Sequence, residues 1–440
     1  MQKKIAFLAA MLMMVLSSAM AQVTTSGING KVTLEATGED VIGATVQAFH
    51  VPSGTKYAAV TNAKGIYSIQ GMRSGGPYTV TVSYIGAQTK EFENISLSLG
   101  ESYNLKVWLA DDTKTLGEVV VSGQAGVNGT RNGAAQTISN RMIQELPSIN
   151  HSVADIARVN PFVKVTEGGA INIAGSNNRY NAIQIDGAMS NDVFGLTSNG
   201  ANGGQAGTQP FSMETIDQLH VSIAPFDVRQ SGFTGGAINA ITKSGTNEFH
   251  GSVYSYFQNG DMVSNKYEKH DGKESADYVD ITDWTLGATL GGPIVKDKLF
   301  FFANFERSKK EYDNAFSTNN GMSKIDFGVA NQILDKVRTD AAAQGVTYRG
   351  TLGTPKEYTY SDKVGLKLDW NINDRNHASL RWSFVDAKQN NKTATAKNLV
   401  TNDYAFDFCS KTSALVFELN SRIGDNMSNE FHASWTSVRD

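Results

Sequence analysis

The sequence predicts a mainly β chain in three parts: a small β-sandwich, an α/β unit, and the first strands of a transmembrane β-barrel. Three observations predict it. Glycine is abundant at 42 residues, while proline stands at 8 and charged residues at 19%, a composition that favours strands and turns over a helical bundle. From Glu248 onward, apolar and polar residues alternate with the two-residue period of a strand. The connections there are short at one end and long at the other, the loop asymmetry of an outer-membrane-type barrel.

The elements follow in order. Lys3 and Lys4 form a positive start, Ile5 to Leu16 an apolar stretch, and Ala19-Met20-Ala21 a small-residue cleavage site. Residues 1–21 therefore read as a secretory signal peptide. No cysteine follows the cleavage site, so no lipid anchor is expected. No later run holds about 18 consecutive apolar residues, so any membrane span must be made of strands.

Residues 22–110 contain short alternating runs: GINGKVTL, ATVQAFHV, KYAAVTN, GIYSIQGM, YTVTVSYIG and NLKVWL. Turn signals separate them at Thr37-Gly38, Pro52-Ser53-Gly54, Asn62 to Gly65 and Gly75-Gly76-Pro77. That spacing predicts a sandwich. Residues 111–133 turn polar and glycine-rich, and within them lies Leu116-Gly117-Glu118-Val119-Val120-Val121-Ser122. A β-branched run in a linker can add as a strand to a partner's sheet edge. It can equally be the sandwich's last strand or the next unit's first.

Residues 134–246 read as a compact α/β unit. Short helices are expected at Asn140 to Pro147 and Ser152 to Val159, the second with Ser152 and Asp155 spaced for capping. Strands are expected at Ile171–Ile173, Ala182–Gly187, Leu219–Val221 and Gly236–Thr242, with a helix at Phe211–Ile216 and a glycine-asparagine loop over about 195–209. Residues 247–440 then supply about seven barrel strands. Val253 and Phe257 face one way and Tyr254 and Tyr256 the other, as do Leu366 and Trp370 against Lys363 and Lys367. The two stretches of polar sequence, Gly260 to Asp283 and Lys309 to Tyr358, read as long loops. A globular unit running straight into a barrel's first strand is a plug.

Several functions are excluded. Net charge is −4 with both signs dispersed, so nucleic acid is not an expected partner. Cys409 is alone, the seven histidines are scattered, and no metal or cofactor site is expected. No nucleophile elbow, zinc-protease helix or phosphate loop appears, which argues against an enzyme.

Residues Gly30-Lys31-Val32, Ile42 to Val46 and Thr61 to Ile69 resemble the carboxypeptidase-regulatory-like domain, an immunoglobulin- or transthyretin-like sandwich. The name carries no peptidase activity here, since no metal pair accompanies it. Val119 to Gly123, Ile185-Asp186-Gly187 and Gly232 to Ser252 resemble TonB-dependent outer-membrane receptors, the last segment most closely the Oar-like subgroup. Such receptors close about 22 strands, so this chain reads as the N-terminal part of a longer protein. The resemblance implies a Gram-negative outer-membrane location with the sandwich in the periplasm. It implies outer-membrane lipid around the barrel, and TonB with its inner-membrane energising complex as partner. It makes Glu118, Val119, Val120, Val121 and Ser122 the TonB box. Extracellular ligand contacts are expected from Arg179, Tyr180, Asp192 and Phe194, with peptide, protein or oligosaccharide cargo favoured over a siderophore. The alternative is an outer-membrane adhesin or structural barrel without energised transport.

Overall fold

The computed structural model describes residues 24–111, 119–122, 134–146, 148, 151–166, 169–192, 197, 199–223, 230, 232–262, 266–267, 276–277, 281–312, 323–352, 356–391, 394–395, 397–424 and 427–440. The expected signal peptide lies outside them, as do Glu118 and Phe194.

The first unit is a sandwich of two sheets. Its strands are β1 (Thr25–Leu34), β2 (Thr45–His50), β3 (Thr55–Val60), β4 (Ile66–Arg73), β5 (Gly75–Ser83), β6 (Lys90–Leu97), β7 (Ser102–Asn104), β8 (Val107–Leu109) and β9 (Val119–Ser122). One sheet runs β4-β1-β7, with β8 also on β1, and the other β3-β2-β5-β6-β9. Alternate residues of each strand enter the core: Thr55, Tyr57 and Ala59 of β3 are buried while Lys56, Ala58 and Val60 are exposed. Ile28, Val46, Ile69, Tyr78 and Leu109 fill the space between the sheets. Each such side chain contributes about 1.5–3 kcal/mol by leaving water.

Two sequence expectations fail here. Gly75-Gly76-Pro77 is not a turn but the start of β5; a side chain on Gly76 would meet the Ile95 carbonyl at 2.7 Å, so glycine lets β5 lie close on β6. β6 itself, KEFENISL, was not anticipated. Asn94 takes a left-handed φ of 60°, which resets the alternation: Phe92 packs on the core and so do Ile95 and Leu97, an odd spacing.

The second unit contains β10 (Ala134–Ser139), α1 (Asn140–Glu145), α2 (Val153–Ala157), β11 (Val163–Val165), β12 (Ile171–Ile173), β13 (Ala182–Ile185), β14 (Ala188–Met189), β15 (Ile216–Ile223) and β16 (Gly236–Thr242). Its mixed sheet runs β10-β15-β16-β13-β14, while β11 and β12 pair separately. The Ser152 side chain caps α2 by accepting from the Asp155 amide, as the spacing predicts. All seven residues of β16 are buried, which explains the small apolar run in its sequence. The helix expected at Phe211–Ile216 is a single 3₁₀ turn, Met213–Thr215, because Ile216 already belongs to β15.

The third unit is one open sheet of seven antiparallel strands. They are β17 (His250–Asn259), β20 (Ile281–Val295), β21 (Leu299–Tyr312), β22 (Glu357–Asn373), β23 (Asn376–Asn391), β24 (Phe406–Ile423) and β25 (Met427–Arg439), in that order. A two-residue pair, β18 (Lys266–Tyr267) and β19 (Ala276–Asp277), lies between β17 and β20. Leu290, Ala303, Leu366, Trp382, Leu415 and Trp435 are successive register partners across six strands. They form one continuous outward apolar row, the surface a lipid interior requires. The other face carries Glu306, Lys363, Lys367 and Arg381, all buried against the second unit. The expected loop from Lys309 to Tyr358 holds a 17-residue helix, α3 (Phe327–Ala343), capped by Asp326 on the amides of Gly328 and Val329.

The two halves of SGFTGGAINAITKSGTNEFHGSVYSYFQ thus belong to different solvents. β16 is wrapped by protein, and β17 exposes Val253 and Phe257 on its outer face. Gly245 makes the passage between them: a Cβ there would fall 2.3 Å from the Phe301 carbonyl and 2.8 Å from that of Gly292. No other residue fits between the second unit and the sheet.

Candidate functional site

The second unit meets the inner face of the sheet through charge and hydroxyl groups. Its foremost residue is Asp186. Ile185 pairs with Ala188 across a two-residue turn, and Asp186 and Gly187 take φ of 46° and 75°. Positive φ at both central residues is the type I′ geometry that Asp-Gly favours. The turn holds the carboxylate against the wall. The Arg381 Nε lies 2.9 Å from Asp186 Oδ2, and Lys367 Nζ 3.7 Å from Oδ1. The Thr242 amide and hydroxyl donate to the same carboxylate at 2.8 and 2.6 Å.

Lys367 and Arg381 are direct register partners on β22 and β23. Two like charges placed opposite each other destabilise a sheet, and the Asp186 anion between them offsets that repulsion. Burial works against the Asp186 charge, yet the two cations and the Thr242 bonds outweigh it and hold the carboxyl below its usual range. Nearby, burial raises Asp217 and lowers Lys243.

A second polar cluster lies along β17 and β21. Ser212 donates to Glu306, Tyr254 donates to the same carboxylate at 2.8 Å, and Lys363 pairs with it at 2.8 Å. Tyr256 donates to Glu214 at 2.7 Å, and Thr208 to Ser361 at 3.1 Å. The wall and the second unit are therefore joined mainly by groups that water can also satisfy.

Two cavities flank this contact. One of about 400 Å³ lies toward the long-loop end, among His151, Phe211, Tyr256, Asp283, Lys310 and Lys363. Sequence reasoning did not find it, because its lining comes from segments scattered between residues 151 and 363. The other, about 440 Å³, lies toward the short-turn end and is lined in part by the sandwich. There Thr24 sits between the carboxylates of Glu418 and Glu430 at 2.7 and 2.6 Å. Arg73 lies 3.4 Å from Asp369, and Asn371 donates to the Ser53 carbonyl at 3.3 Å.

Of the residues expected to touch ligand, Arg179 and Tyr180 share one 3₁₀ turn, Asn178–Tyr180, and both are exposed. Asp192 lies on the following loop, where its carboxylate accepts from the Thr197 amide at 2.7 Å. Asn191 ties that loop to the turn, donating to the Asn181 carbonyl and accepting from the Ile183 amide. Phe194 is outside the described residues. Of the other expected segment, Val119–Ser122 forms β9, parallel to β6 of the sandwich.

Two family models match the chain: a carboxypeptidase regulatory-like domain over residues 27–110 and an outer membrane beta barrel domain over residues 241–321. The chain is 28% identical over 275 residues to the TonB-dependent transporter Oar of Myxococcus xanthus, covering 59% of this chain and 24% of that one. It is 26% identical over 190 residues to the probable TonB-dependent siderophore receptor PirA of Acinetobacter baumannii, covering 40% and 23%. It thus spans about a quarter of the length of these curated relatives. Among solved structures it is similar to the outer membrane transporter YddB of Escherichia coli, with a TM-score of 0.49, 15% identity, and coverage of 69% and 39%. It is also similar to the siderophore receptor PirA of Pseudomonas aeruginosa, with a TM-score of 0.41, 16% identity, and coverage of 69% and 42%.

Proposed function

We propose that this chain is part of a TonB-dependent receptor of Oar type in the Gram-negative outer membrane, which binds an extracellular ligand and imports it with energy delivered by TonB. The observation that carries the reading is the chemistry of the contact between plug and wall. A permanent stopper would be held by apolar packing. This one is held by Asp186 on Lys367 and Arg381 and by Glu306 with Ser212, Tyr254 and Lys363. Water entering a hydrated lumen can replace such bonds one by one, so a modest pull can release the plug.

The outer membrane offers no nucleotide or ion gradient, so the pull must come through TonB. Residues 118–122 are the proposed box, engaged by strand addition, in which main-chain bonds bear the load. Short turns face the periplasm in such barrels and long loops face outward. The sandwich then stands in the periplasm, and the Arg179-Tyr180 turn and the Asp192–Phe194 loop belong to the ligand-facing set. Peptide, protein or oligosaccharide is the proposed cargo, with an iron chelate the alternative suggested by the siderophore-receptor relative.

Val120→Pro tests the transport reading. Proline removes a strand donor from the box. Ligand should still bind the cell surface, while uptake should fall to the level of cells lacking TonB. Uptake at the normal rate would leave the adhesin or structural barrel as the function.

A further inference from the structure

The segment read above as the TonB box is already a strand, and it is attached to the sandwich. β9 lies parallel to the first half of β6, with Lys90 opposite Val119 and Glu93 opposite Ser122. It is the terminal strand of its sheet: β6 occupies one edge, and among the described residues no strand occupies the other.

Its position along the sheet matters as much. His50 of β2 pairs with Tyr78 of β5 at the end of the sandwich that faces the barrel mouth. There Asn371 bonds the Ser53 carbonyl, Arg73 meets Asp369, and the Leu99 amide donates to Gln218. Thr45 pairs with Ser83, and Val82 with Lys90, at the opposite end. β9 therefore rides on the half of β6 that points away from the barrel.

We propose that the sandwich is a platform that presents the TonB box as a preformed edge strand, to which a strand of TonB's periplasmic domain adds. This rests on the reading of residues 118–122 as the box. Pairing with β6 and addition of TonB use opposite edges of the same four residues, so the two are compatible. An unpaired strand edge is a template for a further strand. A box already extended has lost its backbone freedom before the partner arrives, which favours binding. Linkage is reciprocal, so bound TonB in turn holds β9 on β6. The sandwich is itself seated on the mouth, so TonB meets the box at a fixed place.

The opposite arrangement, in which TonB needs the edge that β6 holds, would make the sandwich a mask. One experiment separates them. In the full-length receptor carrying Cys409→Ser, the register partners Glu91 and Val120 are changed to cysteine (E91C, V120C) and bridged by oxidation. The probe is the purified periplasmic domain of TonB. The bridge should form in the folded receptor, and the oxidised protein should bind TonB at least as tightly as the same protein reduced, up to about tenfold more tightly. Weaker binding on oxidation, or no bridge in the folded receptor, overturns the proposal. Deletion of residues 119–122 tests the underlying reading apart from this: binding that survives the deletion removes the box itself. Binding abolished by the deletion but weakened by the bridge leaves the box and removes the platform.

Discussion

Asp186 shows how one side chain can hold a plug in place. It has a folded-state pKa below its ordinary value because Lys367, Arg381 and Thr242 together overcome its burial. A depressed carboxylate stabilises the fold at all pH above its unfolded value, and the contribution is lost as pH falls through the folded value. It is therefore fully present at neutral pH. Asp186→Asn keeps the shape of the side chain and leaves the opposed Lys367 and Arg381 without their anion. Breaking one side of a buried pair costs about 3–5 kcal/mol. The variant should insert normally and show faster hydrogen exchange across β13 and β16 than the parent. Unchanged exchange there would mean that the glutamate cluster on Glu306 holds the plug unaided. His50 has the opposite character. Burial, and then the charge of Arg73, push it down to about 3, so it stays neutral beside Ser53 and Tyr78. The unfolded chain takes up a proton near pH 6.5 that the folded sandwich refuses. Its stabilising contribution is intact above that pH and is lost as pH falls from 6.5 toward 3. The loss is about 2 kcal/mol by pH 5. His50→Gln should flatten the fall in melting temperature of the sandwich between pH 7 and pH 5, as followed by thermal unfolding.

At the scale of elements, sequence period was a sound guide wherever it was unbroken. The barrel strands announced both their faces: Val253 and Phe257 point out and Tyr254 points to the plug, as their alternation requires. The Ser152 cap was legible from four residues, whereas Asp186 and Gly187, expected as the end of a strand, form the turn that follows Ile185. What failed was interrupted period. β6 hides because Asn94 in a left-handed conformation shifts the phase within the strand. The helix α3 had a signal in Asp326 and in Phe327, Ile333, Leu334 and Val337 at helical spacing. Of those, Leu334 is buried while Ile333 and Val337 remain exposed, so propensity and capping rather than a core favour it. The polar residues around it made the whole stretch read as loop. The partners of Asp186 were half legible. Lys367 was assigned to the inner face by alternation, but no local pattern links residue 186 to residues 367 and 381. That pairing is a property of the closed tertiary structure.

Across the whole molecule, the chain sets three layers one behind another: the plug's outer loops, the polar contact of plug with wall, and the sandwich beneath the mouth. The seat of the sandwich is made of few bonds, and Arg73 is the charged one among them. It lies 3.4 Å from Asp369, whose side chain is 4% exposed. By contrast, Lys31 and Asp40 make a shorter pair, 2.6 Å, on the open surface with 44% and 35% exposure. Surface pairs contribute about 0–1 kcal/mol whatever their length, whereas removing one partner of a buried pair strands the other. Arg73→Ala should therefore unseat the sandwich by about 3 kcal/mol, on the order of a hundredfold rise in the detached fraction. Lys31→Ala should leave it seated. Limited proteolysis in outer-membrane vesicles opened to the periplasmic face reads both: the Arg73 variant should lose the sandwich, residues 22–110, faster while the barrel stays intact. Equal cleavage of the two variants would show that the hydrogen bonds of Ser53 and Thr24 suffice to hold the sandwich under the barrel.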